Sequence, residues 1–123
     1  MENNPVGWFE IYVQDMDRAK KFYESVFQVN LERQNVPEME MWSFPMVMDR
    51  MGASGALVKM EGAPSGGNST MVYFSCGDCA VEEARSAESG GSIFKKKFSI
   101  GEHGFVSLVF DTEGNMLGLH SLK

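Results

Sequence analysis

Two cysteines in this chain have the spacing of a thiol redox pair. Cys76 and Cys79 form a C-x-x-C motif where a strand pattern gives way to a helical one, which is a context for redox chemistry. Asp78, however, fits the N-cap of the helix, which places Cys76 at the end of the strand. Two incidental thiols are the competing interpretation, and the position of Asp78 favours it. A zinc knuckle needs a second such pair, and the chain has no other cysteine.

A second grouping that could do chemistry is an acid between two large aromatic residues. The segment Trp8–Val13, of sequence WFEIYV, is rich in aromatic and β-branched residues, as is typical of a strand. Alternation places Trp8, Glu10 and Tyr12 on one face of this strand. The intervening residues are all apolar and should pack on a helix. The face with the acid is large, amphipathic and charged, which suits the wall of a cavity.

Two other polar features support weaker hypotheses. The run Lys95–Lys97 lies inside a predicted strand, so one side of it should face solvent; contact with a phosphate or carboxylate is the alternative. His103, between Gly101 and Gly104, is interpreted as a surface-loop residue, with a lid role as the alternative. The ten methionines are adaptable filler for a core or a pocket.

Two predicted helices must position these residues. Asp15 fits the N-cap of the first helix and Asp78 that of a weaker second helix, which should end in a left-handed cap at Gly90 or Gly91. The apolar residues of the first helix recur at i, i+3, i+4, i+7 and i+8, so we expect them to be buried. These residues are Ala19, Phe22, Tyr23, Val26 and Phe27.

The strand patterns repeat in the same order in each half of the chain. After the first strand and helix, strands are predicted at Val29–Gln34, Met41–Met48 and Gly55–Met60; the second half has Met71–Cys76, Ser92–Ile100, Phe105–Phe110 and Met116–Ser121. Pro45 places its strand at an edge or a bulge. Gly62–Ser69 has linker composition, and Asp111–Asn115 is a turn. Aligning Asp15 with Asp78 gives two βαβββ modules, about residues 5–61 and 69–123, in one α+β domain spanning 1–123.

Composition excludes several classes of partner. The net charge is −6, with 17 acidic against 11 basic residues, which disfavours nucleic acid. No apolar run approaches the ~20 residues of a membrane span. The first residues lack the basic and apolar regions of a secretory signal. We therefore expect a soluble, cytoplasmic protein that binds neither nucleic acid nor membrane.

The pattern resembles the vicinal oxygen chelate superfamily, which includes glyoxalase I, bleomycin-resistance proteins and extradiol dioxygenases. The similarity lies in Val13–Ala19 with Phe22-Tyr23, in Phe105–Asn115, and in the closing Gly118–Ser121. Gly55–Val58 before the Pro/Gly loop is also similar to a bacterial, glyoxalase-like subgroup. The resemblance implies two curled sheets around a shared cup, helices on the outside, a small-molecule ligand and a homodimer.

Metal-dependent members carry His, Gln or Glu ligands on the first and last strands of each module. The resemblance carries these positions to Trp8 and Met71 on the first strands and to Ala56 and Gly118 on the last. None of the four binds a hard or borderline divalent ion in the expected way. We therefore expect no metal cofactor.

Residues that alternation would leave in the cup are Glu10, Tyr12, Val58, Tyr73 and His120, beside Trp8 and Gly118. Glu10 and His120 are the candidate catalytic pair, either as an acid and base or as ligands of a shifted metal. The alternative is that each makes a structural hydrogen bond. The leading hypothesis is a metal-free small-molecule-binding protein of the glyoxalase and bleomycin-resistance type. The alternatives are a lyase or isomerase using Glu10 and His120, and a thiol-redox module using Cys76 and Cys79.

Overall fold

A computed structural model describes residues 3–67, 69–112 and 114–123. Asn68 of the predicted linker and Glu113 of the predicted turn lie outside the described residues. The chain forms two compact units, Trp8–Thr70 (the first unit) and Met71–Lys123 joined by the residues up to Gly7 (the second unit). The residues just before Trp8 belong to the second unit, and one contact that holds them there is the hydrogen bond from Ser75 N–H to the Pro5 carbonyl at 2.9 Å.

The first unit is a helix packed on four strands. Its elements are β1 (Val6–Tyr12), α1 (Met16–Phe27), β2 (Glu32–Gln34), β3 (Glu40–Ser43) and β4 (Ser54–Lys59). The strands lie in the order β2-β3-β4-β1, with β1 and β4 parallel and the other pairs antiparallel. The predicted cap is confirmed, because the Asp15 carboxylate accepts a hydrogen bond from Arg18 N–H at 3.0 Å.

The core of the first unit lies between α1 and one face of these strands. Met16 at the start of α1 packs with Val13, Leu31 and Leu57. Ile11, Ala19, Tyr23, Trp42 and Phe44 pack against this cluster. The ammonium group of Lys20 lies 3.3 Å from the Trp42 ring centroid, so α1 also contacts β3 through a cation–π interaction.

The prediction that the whole apolar stripe of α1 is buried is wrong. Phe22, Val26 and Phe27 remain 58%, 54% and 60% exposed. Periodicity identifies the apolar face of a helix but not the extent of the sheet that covers it. Here β2 and β3 have only three and four residues, and Met16 is the buried residue of α1, with Ala19 and Tyr23 packing against the core.

The third predicted strand is shorter than its pattern indicated. β3 ends at Ser43 rather than Met48, and Met46 and Met48 are 57% and 86% exposed. Phe44 N–H still donates to the Gly55 carbonyl at 2.8 Å, but Pro45 has no N–H with which to continue the ladder. The Ser54 hydroxyl instead donates to the carbonyls of residues 44 and 45.

The second unit repeats this order. Its elements are β5 (Thr70–Ser75), α2 (Cys79–Glu88), β6 (Ser92–Ser99), a 3₁₀ turn (Gly101–His103), β7 (Phe105–Phe110) and β8 (Met116–Ser121). The strands lie in the order β5-β8-β7-β6, with β5 and β8 parallel and the rest antiparallel. The Asp78 carboxylate caps α2 at Ala80 N–H, and Gly90 has the predicted positive φ of 96°.

A polar clamp holds α2 to its strands. One oxygen of Glu83 accepts hydrogen bonds from Lys97 N–H at 2.6 Å and from the buried Ser107 hydroxyl at 2.8 Å. Lys97 Nζ also bridges to the Asp78 carboxylate at 2.8 Å. These contacts satisfy a buried hydroxyl and set the position of α2 above the apolar cluster of Cys79, Val109 and Leu119.

The predicted α+β fold with paired βαβββ modules is confirmed by this element order. Within the described part of the chain, neither helix is long and apolar enough to cross a membrane.

Candidate functional site

The candidate site in the first unit is the sheet face turned away from α1. Because paired residues of neighbouring strands point to the same side, the pairs Glu10–Ala56 and Tyr12–Val58 share this face. Ile11 and Leu57, on the opposite face, lie in the core beneath the helix. The strand therefore presents its faces as alternation predicts.

The Glu10 carboxylate is the chemical centre of this face. It is only 7% exposed, yet both of its oxygens accept hydrogen bonds. Trp8 Nε1–H donates to Oε2 at 3.2 Å, and the Tyr12 hydroxyl donates to Oε1 at 2.8 Å. Burial, and then the negative charge of Glu10, raises the pKa of the Tyr12 phenol above its ordinary value. The phenol therefore stays a hydrogen-bond donor across the physiological range.

The predicted wall residue Val58 lies on the expected side but is covered, as is its neighbour on this face, Ala56, which occupies a metal-ligand position of the resembled family. Val58 and Ala56 both have 0% exposed area, so neither presents surface to a ligand in this structure. Trp8 and Tyr12 are half-buried. Of the predicted site residues on this face, the two aromatic rings and the carboxylate between them keep accessible surface.

The second unit presents an equivalent face. Tyr73 pairs with Gly118 and Ser75 with His120. Tyr73 and Ser75 match Glu10 and Tyr12 when Asp15 is aligned with Asp78, and their partners correspond to Ala56 and Val58 through the strand pairing. Leu119 lies on the opposite side, in the cluster under α2.

The ring of Tyr73 lies directly over Gly118. A Cβ atom added at Gly118 would overlap Cδ2 and Cε2 of the Tyr73 ring and lie 2.9 Å from Cγ. Glycine is therefore the residue that lets the ring lie flat on β8, because any larger side chain would displace it.

His120 is held through its ring by the backbone. Its Nε2 lies 2.6 Å from the carbonyl oxygen of His103, an acceptor, so Nε2 carries a proton and donates. A neutral His120 then has Nδ1 as its acceptor nitrogen. His103 itself lies in the exposed 3₁₀ turn, as the loop interpretation predicts, and contributes its backbone rather than its side chain.

The four positions that carry metal ligands in the resembled family hold other residues in this chain. Trp8 donates to Glu10, Ala56 has no donor atom, and the Gly118 position is overlain by Tyr73. Met71 is a buried thioether, which favours soft ions. Among the described residues, no group of three or more His, Cys, Asp or Glu side chains could hold a metal ion.

The environment of the two cysteines differs from that of a redox pair. Both are free; Cys79 is wholly buried, and its backbone N–H donates to the Ser121 hydroxyl at 3.0 Å. Burial, followed by the neighbouring Glu82 carboxylate, raises the pKa of the Cys76 thiol to about 11. Reactive thiols need the opposite shift, towards the thiolate.

The lysine run does not follow simple alternation, because the register of β6 shifts between Ile93 and Lys95 and again between Lys95 and Phe98. Lys95 and Lys97 therefore lie on opposite faces. Lys97 turns to Asp78, and its hydrogen bond lowers the pKa of that exposed carboxyl. Lys95 lies over the Phe98 ring, and Lys96 is exposed.

Sequence reasoning did not identify the His103 carbonyl as the partner of His120, or Glu82 as the neighbour of Cys76. The contact between Glu82 and Cys76 did have a signal in the sequence, because the position of Glu82 on the predicted helix faces the end of β5.

Comparison with known families adds a direct finding. The model of the Glyoxalase/Bleomycin resistance protein/Dioxygenase superfamily matches residues 6–119. No curated protein sequence matches the chain.

Solved structures share the fold at low identity. A variant of Streptomyces coelicolor methylmalonyl-CoA epimerase in complex with 2-nitronate-propionyl-CoA has a TM-score of 0.72 at 12% identity, covering 96% of each chain. The Mycobacterium tuberculosis methylmalonyl-CoA epimerase has a TM-score of 0.70 at 12% identity, covering 97% of this chain and 88% of that one. A hypothetical protein from Bacillus halodurans has a TM-score of 0.74 at 10% identity, covering 99% of this chain and 96% of that one.

The packing of Tyr73 on Gly118 predicts a non-additive pair of substitutions. Gly118→Ala should lower the free energy of unfolding by about 1–3 kcal/mol, because the added methyl group overlaps the ring. In a Tyr73→Ala background the same change should cost much less, since the space is then open. Urea unfolding of the four proteins of this cycle measures the coupling. Equal costs in both backgrounds would show that the ring does not lie over Gly118.

The raised pKa of Cys76 and the burial of Cys79 predict slow thiol chemistry. Neither thiol of the folded protein should react rapidly with a disulfide reagent at neutral pH. The reaction of Cys76 should accelerate as the pH rises towards about 11. Stopped-flow thiol titration of Cys76→Ser and Cys79→Ser separates the two groups. A thiolate already formed near neutral pH, together with a reversible disulfide, would restore the redox interpretation.

Proposed function

Since the chain belongs to the Glyoxalase/Bleomycin resistance protein/Dioxygenase superfamily, we propose that it binds a small organic molecule without a metal ion. The ligand meets the face that carries Trp8, Glu10 and Tyr12. Tyr73 and His120 occupy the equivalent face of the second unit.

The observation that carries this proposal is a carboxylate buried between an indole and a phenol. Glu10 is 7% exposed and is held by both aromatic side chains. Those two bonds fix its orientation, and as an acceptor the carboxylate favours a ligand that carries a donor group. The flanking rings supply flat apolar surface and attract cations through their faces. The face therefore suits a ligand with a planar or aliphatic body and a cationic or hydrogen-bond-donating group.

The residue types at the family's metal-ligand positions support binding without a metal ion. A divalent ion in a catalytic site takes three protein ligands from N, O or S donors. Trp8, Ala56 and Gly118 supply no such donor, and Met71 supplies only a soft one. The Glu10 carboxylate on the first unit's face is already engaged by Trp8 and Tyr12.

The ligands of structural neighbours agree with a small-molecule role. The Streptomyces coelicolor epimerase variant is complexed with 2-nitronate-propionyl-CoA, so this fold binds small organic molecules in at least one relative. At 12% identity the likeness concerns the fold, and the identity of the ligand does not follow from it.

A lyase or isomerase that uses Glu10 and His120 is the second candidate. The observation in its favour is the hydrogen bond from His120 Nε2 to the His103 carbonyl, which fixes the tautomer and leaves Nδ1 as an acceptor able to take a proton. An enzyme of this kind would lose turnover in both Glu10→Gln and His120→Ala. A binding protein would show no turnover with any ligand it retains.

Substitutions on opposite faces of β1 test the site. Trp8→Ala and Phe9→Ala remove comparable apolar area, and each costs roughly 3–5 kcal/mol where the ring is fully packed. Phe9 packs on Phe44 with ring centroids 5.7 Å apart, so Phe9→Ala should destabilise the protein and leave ligand affinity largely unchanged. Trp8→Ala should cost clearly less stability but abolish binding.

The measurements are urea unfolding and titration with a ligand identified from a small-molecule library. Trp8→Phe serves as the matched control, because it keeps an aromatic ring and removes only the donor to Glu10. If Trp8→Ala unfolds the protein while Phe9→Ala is mild, or if Trp8→Ala leaves affinity intact, the proposed face is wrong.

A further inference from the structure

Three exposed methionines lie in one short loop of the first unit, between β3 and β4. Met46, Met48 and Met51 are 57%, 86% and 100% exposed. The other methionines in the described part of the chain are buried or half-buried. The interpretation of methionine as filler for a core or a pocket therefore fails for these three, because more than half of each residue lies in solvent.

The loop is held at its base by hydrogen bonds between its two ends. Phe44 N–H, just after the end of β3, donates to the Gly55 carbonyl at 2.8 Å. The Ser54 hydroxyl donates to the carbonyls of residues 44 and 45 at 3.2 and 3.1 Å. Residues 46–53 therefore form a short loop whose ends lie side by side.

A turn inside this loop gathers the three methionines. Arg50 N–H donates to the Val47 carbonyl at 3.4 Å, and a turn of this kind brings its two ends within about 7 Å at their Cα atoms. Met46 and Met51 are the residues just outside the two ends of the turn, and Met48 lies within it. Methionine side chains are unbranched and flexible, and exposure leaves these three able to rotate. One ion can therefore draw the three sulfur atoms together.

The thioether sulfur of methionine selects soft metal ions. It is polarizable and uncharged and favours Cu(I), whereas carboxylates and carbonyls suit Mg²⁺, Ca²⁺ and Mn²⁺. A thiol must first lose its proton to bind a metal, and the raised pKa of Cys76 and the burial of Cys79 oppose that loss. A thioether has no proton to lose. The exposed methionines are therefore accessible soft donors at neutral pH.

We propose that the loop between β3 and β4 binds one soft monovalent metal ion, of the Cu(I) class, through the sulfur atoms of Met46, Met48 and Met51. The ion keeps its oxidation state and no proton is released, because all three donors are neutral thioethers. A site of this composition discriminates against hard divalent ions. It is independent of the four metal-ligand positions of the family, which lie on β1, β4, β5 and β8.

The test uses the full chain and Ag(I), which has the charge and softness of Cu(I) and is not oxidised by air. Isotopically labelled methionine methyl groups are followed by NMR in a chloride-free buffer. The methyl signals of Met46, Met48 and Met51 should shift together and saturate at one equivalent of Ag(I). The signal of Met71, which is 8% exposed, should not change. Mn(II) should cause no shift of these signals.

The pH dependence separates thioether from thiol binding. Because the proposed donors release no proton, the affinity for Ag(I) should be equal at about pH 5.5 and about pH 7.5. Binding by Cys76 or Cys79 would weaken as the pH falls, since a proton then competes with the metal for the sulfur atom.

Two substitutions and two controls complete the experiment. Met48→Leu and Met51→Leu keep the apolar volume and remove the sulfur, so each should weaken Ag(I) binding at least about tenfold. Met39→Leu removes a half-buried thioether outside the loop and should leave affinity unchanged. Asp49→Asn removes a carboxylate from the loop itself and should also leave it unchanged. Urea unfolding checks that all four variants remain folded.

Either of two results would overturn the proposal. The first is the lack of shifts at the three loop methionines with one equivalent of Ag(I), including the case in which the ion goes to the cysteines or to Met71. The second is binding that survives both Met48→Leu and Met51→Leu, or that is lost in Asp49→Asn. The latter would show that the carboxylate, rather than the sulfur atoms, holds the ion.

Discussion

Parallel pairing of the first and last strands is the constraint on which each unit depends. In the first unit β1 pairs with β4, and in the second β5 pairs with β8, with matching registers. A parallel pair needs a long crossover, which here contains the helix and the two intervening strands. The pairing sets Glu10 beside Ala56 and Tyr73 beside Gly118. A shift of one residue would turn each of these side chains towards the helix.

The helices then fix which face remains for chemistry. In the first unit, Leu57 and Ile11 pack beneath α1, which leaves Trp8, Glu10 and Tyr12 on the other side. In the second, the Glu83 clamp and the cluster around Cys79 hold α2, which leaves Tyr73 and His120. The two faces differ in chemistry although their backbones correspond. One centres on a carboxylate held by aromatic donors, and the other on an aromatic ring lying over a glycine.

Local features of the sequence predicted most of this arrangement. Asp15 and Asp78 were predictable as caps, because a short carboxylate just before a helical pattern can accept a hydrogen bond from an unpaired N–H of the first turn. Strand alternation assigned the faces of β1, β4, β5 and β8 correctly because its period is fixed by backbone geometry. It failed along β6, where the register shifts. The predictions failed where tertiary structure decides the outcome. Phe22, Val26 and Phe27 fit a buried stripe, but exposure depends on the length of the sheet beside them.

The bond from His120 to the His103 carbonyl could not be predicted from spacing, since it depends on side-chain geometry between distant segments.

The central proposal is that the repeat keeps its strand pairing while its ligand positions bind no metal. Metal analysis of protein purified without a chelator tests it most directly. The account predicts no stoichiometric zinc, nickel, iron or manganese. One tightly held equivalent per chain, lost on Glu10→Gln or His120→Ala, would contradict it.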